Sequence, residues 1–351
     1  MKIMKLPLVV IACAVLAACV GPKKDSDARA AEKHEEKGLL LGFSQIGAES
    51  AWRKRHTLSV QEAAAGGGVQ LLFSNAEQKQ ENQIKAIRSF IAYQVDVIAF
   101  VPIVSSGWDN VLREAREAGI PVLVTDRKID IQDENLYAGY IGTDSIREGR
   151  EAARYLLKKF NAASGTGAGD IGGGTTADAH ETAAPDNEPI RIVELSGTIG
   201  SSAASGRARG FREVLADHPR FTIIYSESGD FLRSKGYELM RTILPIYADI
   251  DVIFSHNDGM TLGVLDAMRE KELLPGKDII IITVDAEQAA IDALNRGEVN
   301  CVIECNPKQG PQIIALARQL ARGEPIPRLI HVEETVFTEG DDLSSLEPRG
   351  Y

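Results

Sequence analysis

The chain has 351 residues, 44% of them hydrophobic and 25% charged, which is enough apolar material for two ordinary domains and too much for a disordered chain. Acidic residues outnumber basic ones by 50 to 39, and a net charge of −11 argues against a nucleic-acid partner, whose phosphates demand a basic face. Four cysteines are too few for a disulfide scaffold.

Residues 1–18 read as a secretory leader. Lys2 and Lys5 supply its positive start, and Leu6–Ala17 is an apolar run too short for a stable bilayer span. It ends in Leu16-Ala17-Ala18-Cys19, which resembles the lipobox of bacterial lipoproteins, where the cysteine becomes the lipidated first residue. Residues 19–38, rich in Lys, Asp, Glu and Ala, read as a solvated tether. No later stretch is long and apolar enough to span a membrane. The folded part is therefore expected outside the cytoplasm, held at a membrane surface by a lipid on Cys19.

From residue 39 short apolar runs alternate with amphipathic ones. Strands are expected at Leu39–Ile46, Val69–Phe73, Val95–Val101, Ile120–Thr125, Ile190–Leu195, Phe221–Tyr225, Val252–Ser255, Ile279–Val284 and Val299–Ile303. Helix-like segments lie between them, such as Glu77–Tyr93, where Ile84, Ile87, Phe90 and Ile91 mark one face. Apolar strands separated by helices imply parallel sheets covered on both faces. Two doubly wound α/β domains fit this count better than a TIM barrel, because strands keep arriving after the eighth. Residues 161–189 are crowded with Gly, Ala, Thr and Asp and read as a flexible insert. They contain a formal G-x-G-x-x-G at 167–172, but no strand precedes it and no helix follows, so it does not read as a dinucleotide site. Cys301 and Cys305 sit four residues apart on one expected strand, about 13 Å apart, which exceeds the roughly 7 Å a disulfide allows between Cα atoms. They are expected as buried free thiols.

Ligands of open α/β sheets bind beyond the carboxyl ends of the strands. Those positions hold Glu49, Trp52 and Arg53, then Asp126 and Arg127, then Arg207, Phe231, Asn257, Asp285 and Glu304. Planar carboxylate, amide and guanidinium groups hold vicinal hydroxyls, and aromatic rings cover the C–H faces of a sugar. Each residue also has a plainer role open to it: Arg127 and Arg207 as surface ion-pair partners, Asp126 and Asp285 as helix caps, Trp52 as a core residue. His256 and Trp108 read as structural. Asp126 and Asp285 could also pair as glycosidase carboxylates, but stable binding is the simpler use. Nucleophile-elbow, H-E-x-x-H and P-loop patterns are absent from the sequence.

The stretches GFSQIGAESAWR (42–53), QKQENQIKAIRSF (78–90), DRKID (126–130), ELSGTIGSSA (194–203), SGDFLRSKG (228–236), SHNDGM (255–260), PGKD (275–278) and IECNP (303–307) resemble those of periplasmic sugar-binding proteins of the ribose/galactose type, the solute receptors of ABC transporters. The likeness is greatest to the galactofuranose-binding kind and covers residues 39 to about 335. It implies two similar doubly wound domains joined by a three-segment hinge, with crossings near residues 141, 304 and 332. The domains would be 39–141 with 305–331, and 142–304 with 332–351. It further implies that the ten residues at the strand ends bind a monosaccharide, galactofuranose or a related sugar, with Glu304 reaching it from the hinge. The expected partners are the sugar, a permease with its ATPase, and the membrane through Cys19. No catalytic residue, metal or cofactor is expected, and a monomer is the default. A sugar-sensing lipoprotein that presents its ligand to a chemoreceptor or sensor kinase would use the same pocket. Where relatives often have Asp-Gly, this chain has Asp285-Ala286.

Overall fold

Valine- and isoleucine-rich runs become strands here because helices cover both faces of the sheet they enter. The structure is a computed structural model that describes residues 38–163, 188–247 and 249–351. The leader, the Cys19 lipidation site, nearly all of the tether and insert, and the glycine motif at 167–172 lie outside the described residues. No helix among the described residues is long and apolar enough to cross a membrane.

The first half runs β1 (Leu40–Gln45), α1 (Ala51–Gly66), β2 (Gln70–Asn75), α2 (Gln80–Ala92), β3 (Val97–Phe100), α3 (Asp109–Glu117), β4 (Val122–Asp126) and β5 (Gly139–Gly142). The second runs α4 (Ser145–Ala163), β6 (Ile190–Ser196), α5 (Ser202–Leu215), β7 (Phe221–Ser228), α6 (Arg233–Ile243), β8 (Val252–Ser255), α7 (Asp258–Glu270), β9 (Ile280–Asp285), α8 (Gln288–Asn295) and β10 (Cys301–Glu304). Then come α9 (Gly310–Ala321), β11 (Leu329–His331) and β12 (Val336–Thr338).

Two six-stranded sheets result, ordered β11-β5-β4-β3-β1-β2 and β12-β10-β9-β8-β6-β7. All pairings are parallel except the antiparallel edge of β12 on β10. The chain passes between sheets three times: after β5, after β10 and after β11. This is the type I periplasmic binding protein fold, with the two sheets in similar strand order.

The nine expected strands all form. Three short ones, β5, β11 and β12, carry too few apolar residues to stand out. The expected helix at Glu77 starts instead at Gln80, because Glu77 and Gln78 take left-handed φ of 52° and 62°. Trp108 is fully buried against Phe100, with its indole donating to the Val104 carbonyl at 2.8 Å. Cys301 and Cys305 are buried free thiols.

Candidate functional site

The carboxyl ends of both sheets face one another across a narrow cavity of about 30 Å³, room for little more than one or two waters. Two hydrogen bonds join the loops of the two halves: Ser105 N donates to the Gly200 carbonyl at 2.8 Å, and Lys128 N to Ser202 Oγ at 2.7 Å.

On the first wall, β1 delivers the loop that enters α1. Ser50 caps that helix by accepting from Arg53 N at 3.1 Å, which fixes the first turn and the side chains on it. Arg53 is buried, its Nε 3.0 Å from Glu49 Oε1 and its Nη1 2.8 Å from Asp126 Oδ2. Gln78 donates to the other Glu49 oxygen at 2.9 Å. Asp126 ends β4 with a φ of 62°, a strained conformation of the sort that collects at binding sites. Burial pushes its carboxyl up, but Arg53 and Arg127 outweigh that and hold it below its ordinary range. Arg127 donates to the Ile103 carbonyl at 3.2 Å, while its buried Nε has no hydrogen-bond partner and lies 3.9 Å from Asp126. Burial, with Arg53 close by, lowers this guanidinium to about 10. Arg127 is thus a buried cation that lines the cavity and keeps one donor unused among the described residues.

On the second wall, Arg207 of α5 is held by Glu148 Oε2 at 2.6 Å and by the His256 carbonyl, and lies 3.7 Å from Asp285. Phe231 follows β7 at a φ of 62°. Its ring is placed between the guanidiniums of Arg127 and Arg207, at 5.1 and 5.9 Å. Gly197 permits this, since a Cβ there would meet the ring at 1.9 Å. Asn257 caps α7 by accepting from Met260 N at 3.0 Å, and its amide donates to the Phe231 carbonyl at 3.3 Å. Asp285 ends β9 at a φ of 128°. Burial, with Asp258 and Glu287 nearby and only Arg207 opposing, pushes its carboxyl well up.

Nine of the ten expected residues therefore line one cavity: Glu49, Trp52, Arg53, Asp126, Arg127, Arg207, Phe231, Asn257 and Asp285. Trp52 is nearly fully buried and stacks on His56, while its indole donates to the Cys305 carbonyl, so the plainer packing role and the cavity role coincide. Glu304 is the exception. It does not line the cavity; its carboxylate pairs with Arg349 and accepts from Thr335 N at 3.0 Å. The sequence offered no sign of Arg349, which comes 45 residues later. Ser50, Ala203 and Cys305 also line the cavity, without a residue pattern that would have singled them out. His256 turns away to Glu194 at 3.2 Å, a structural role.

Residues 41–325 match the periplasmic binding protein domain. The chain belongs to the periplasmic binding protein family. It is 36% identical to the galactofuranose-binding protein YtfQ of Escherichia coli K12 over 320 residues, covering 89% of this chain and 93% of that one. Among solved structures, a Mycobacterium smegmatis protein in complex with β-D-fucofuranose is similar at 41% identity and a TM-score of 0.78, over 86% of this chain and 92% of that one. The binding component of an arabinose ABC transporter from Shewanella sp. ANA-3, bound to α- and β-L-arabinofuranose, is similar at 37% identity and a TM-score of 0.76, with the same coverage. The Escherichia coli and Shewanella relatives of this periplasmic binding protein are themselves binding proteins, and the matched family is one of binding proteins, which favours the binding use of Asp126 and Asp285 over the glycosidase one.

Proposed function

We propose that this periplasmic binding protein is an extracytoplasmic, lipid-anchored receptor for a furanose-form monosaccharide, galactofuranose or a related sugar, which it delivers to an ABC importer. The observation that carries the reading is a cleft between the two sheets, walled by three arginines, two aspartates, a glutamate, an asparagine and two aromatic rings. Relatives at 36–41% identity that bind furanoses support it.

The mechanism is hinge closure. The bodies that move are residues 39–141 with 305–331, and 142–304 with 332–351. Sugar binds the first wall, whose charges are already paired and fixed; contacts to Arg207, Asn257 and Asp285 then shift the population to the closed form. Because the arginines are desolvated, an epimer that leaves the Arg127 donor unpaired is rejected more strongly than the loss of one contact suggests. The anchor at Cys19 rests on the lipobox alone, and a monomer is the simplest state for such a receptor.

The test is a thermal-shift screen on ligand-stripped protein with L-arabinose, galactose, D-fucose, uronic acids and an amino-acid control. A micromolar ligand at millimolar concentration adds about 4 kcal/mol by mass action and moves the midpoint by several degrees. A shift confined to sugars with a furanose fraction is the expected result. No shift with any sugar overturns the reading.

A further inference from the structure

The three passages between the sheets converge on three acidic side chains. Glu148 lies in the first turn of α4, directly after the first passage; Cys305 follows β10 at the start of the second; Glu334 sits in the third, between β11 and β12. One ligating atom from each lies within 4.8 Å of the other two. Glu148 Oε2 holds Arg207 at 2.6 Å. Its Oε1 and the Oε1 of Glu334 are both buried and have no hydrogen-bond donor among the described residues. Two adjacent buried carboxylates repel each other and share a lack of donors, and one proton remedies both faults.

We propose that Glu334 is a positioning residue that carries this proton and donates it to Glu148, so that a single hydrogen bond ties the third passage to the first and steadies the carboxylate that aims Arg207 at the cavity. The inference rests on the receptor reading of that cavity and extends it to the hinge.

The surroundings fit a proton better than a metal cation. Burial, then the neighbouring Glu148, pushes the Glu334 carboxyl up to about 10, against the opposing pull of Arg207 and Arg147. Burial, with Glu148 beside it, also raises the Cys305 thiol well above its ordinary range, and Asp285 adds to that. Tyr140 of β5, which faces the same acids, stays a neutral phenol for the same reason. A divalent cation would need to sit beside the buried guanidinium of Arg207; a neutral acid does not.

The test compares wild type with Glu334→Gln, whose amide keeps a donor facing Glu148. In infrared difference spectra at pH 7, wild type minus variant shows the C=O stretch of one protonated carboxyl. In urea unfolding, the folded wild type holds one more proton than the unfolded chain above the ordinary glutamate value of 4.5. Its stability relative to the variant therefore falls as pH rises toward 10, with a limiting slope of tenfold in the folding constant per pH unit. Neither readout needs a sugar, so both stand even if the receptor reading fails. Titration with L-arabinose is then expected to give Glu334→Gln wild-type affinity and Glu334→Ala at least tenfold less. Parallel pH curves without the carboxyl band overturn the proposal. So does a Glu334→Gln chain that does not fold, or a wild type stabilised by Zn²⁺ where the variant is not.

Discussion

The two walls of the cavity handle buried charge in opposite ways. On the first, two arginines interleave with Glu49 and Asp126, and the Asp126 carboxyl is held below its ordinary range. On the second, Asp258, Asp285 and Glu287 crowd together with Arg207 as the cation nearest Asp285, and burial pushes all three up. One wall is a fixed lattice of paired charges; the other takes up protons. Both are rich in the same residue types, so the ratio of buried cations to anions, rather than polar composition, sets the electrostatics.

The lattice breaks hardest at its centre. Asp126→Asn leaves two buried cations, Arg53 and Arg127, with Glu49 as the one anion beside them and is expected to cost about 3–5 kcal/mol of stability, read by urea unfolding at pH 7. A loss under about 1 kcal/mol would mean that the two walls do not differ in the way described. Arg127→Ala removes the cation at the edge of the lattice. Sugar affinity should drop by about 2–4 kcal/mol in titration calorimetry; unchanged affinity would remove Arg127 from the site. The proton-taking wall is sharpened by Glu287→Gln. The folded-state value of Glu287 is raised above 4.5, so its contribution is complete below that pH and fades as pH rises. The variant should lose up to about 1.4 kcal/mol of pH-dependent decline per unit just above pH 4.5. By contrast, Asp126 is depressed from 3.8, and its contribution is present above that value and fades only as pH falls below it. An identical decline in Glu287→Gln and wild type would contradict the contrast. The smallest effect is expected at Ala286, fully buried with a φ of 65°. Replacement by Gly relieves roughly 1 kcal/mol of left-handed strain and forfeits about as much methyl burial. Ala286→Gly should thus unfold within about 0.5 kcal/mol of wild type.

Much of this was legible in the sequence because strand ends and ligand positions coincide in parallel sheets. Asp126 and Asp285 each follow a run of four or more apolar or β-branched residues, so their place at a sheet edge is written locally. What escaped was set by distant contacts. β5 reads GYIG, with glycine at its start because a Cβ at Gly139 would meet the Pro327 carbonyl at 2.7 Å, a neighbour almost two hundred positions away. Glu304 looked like a ligand for the same reason as Asp285, at the end of an apolar strand, until Arg349 claimed it. The carboxylates that brace the site, Glu148 and Glu287, sit in or beside helix N-termini and look like ordinary solvated residues.

The edge strands also set the order in which the molecule is completed. β5 ends at Gly142, yet the strand that covers its open side, β11, begins only at Leu329; β12 then closes β10 a few residues on. Neither sheet is finished until residues 329–338 have emerged from synthesis. Until then two unpaired edges of buried, apolar strands are presented together, the kind of surface that recruits chaperones or aggregates. A chain cut short before Leu329 would have both halves formed and both edges exposed.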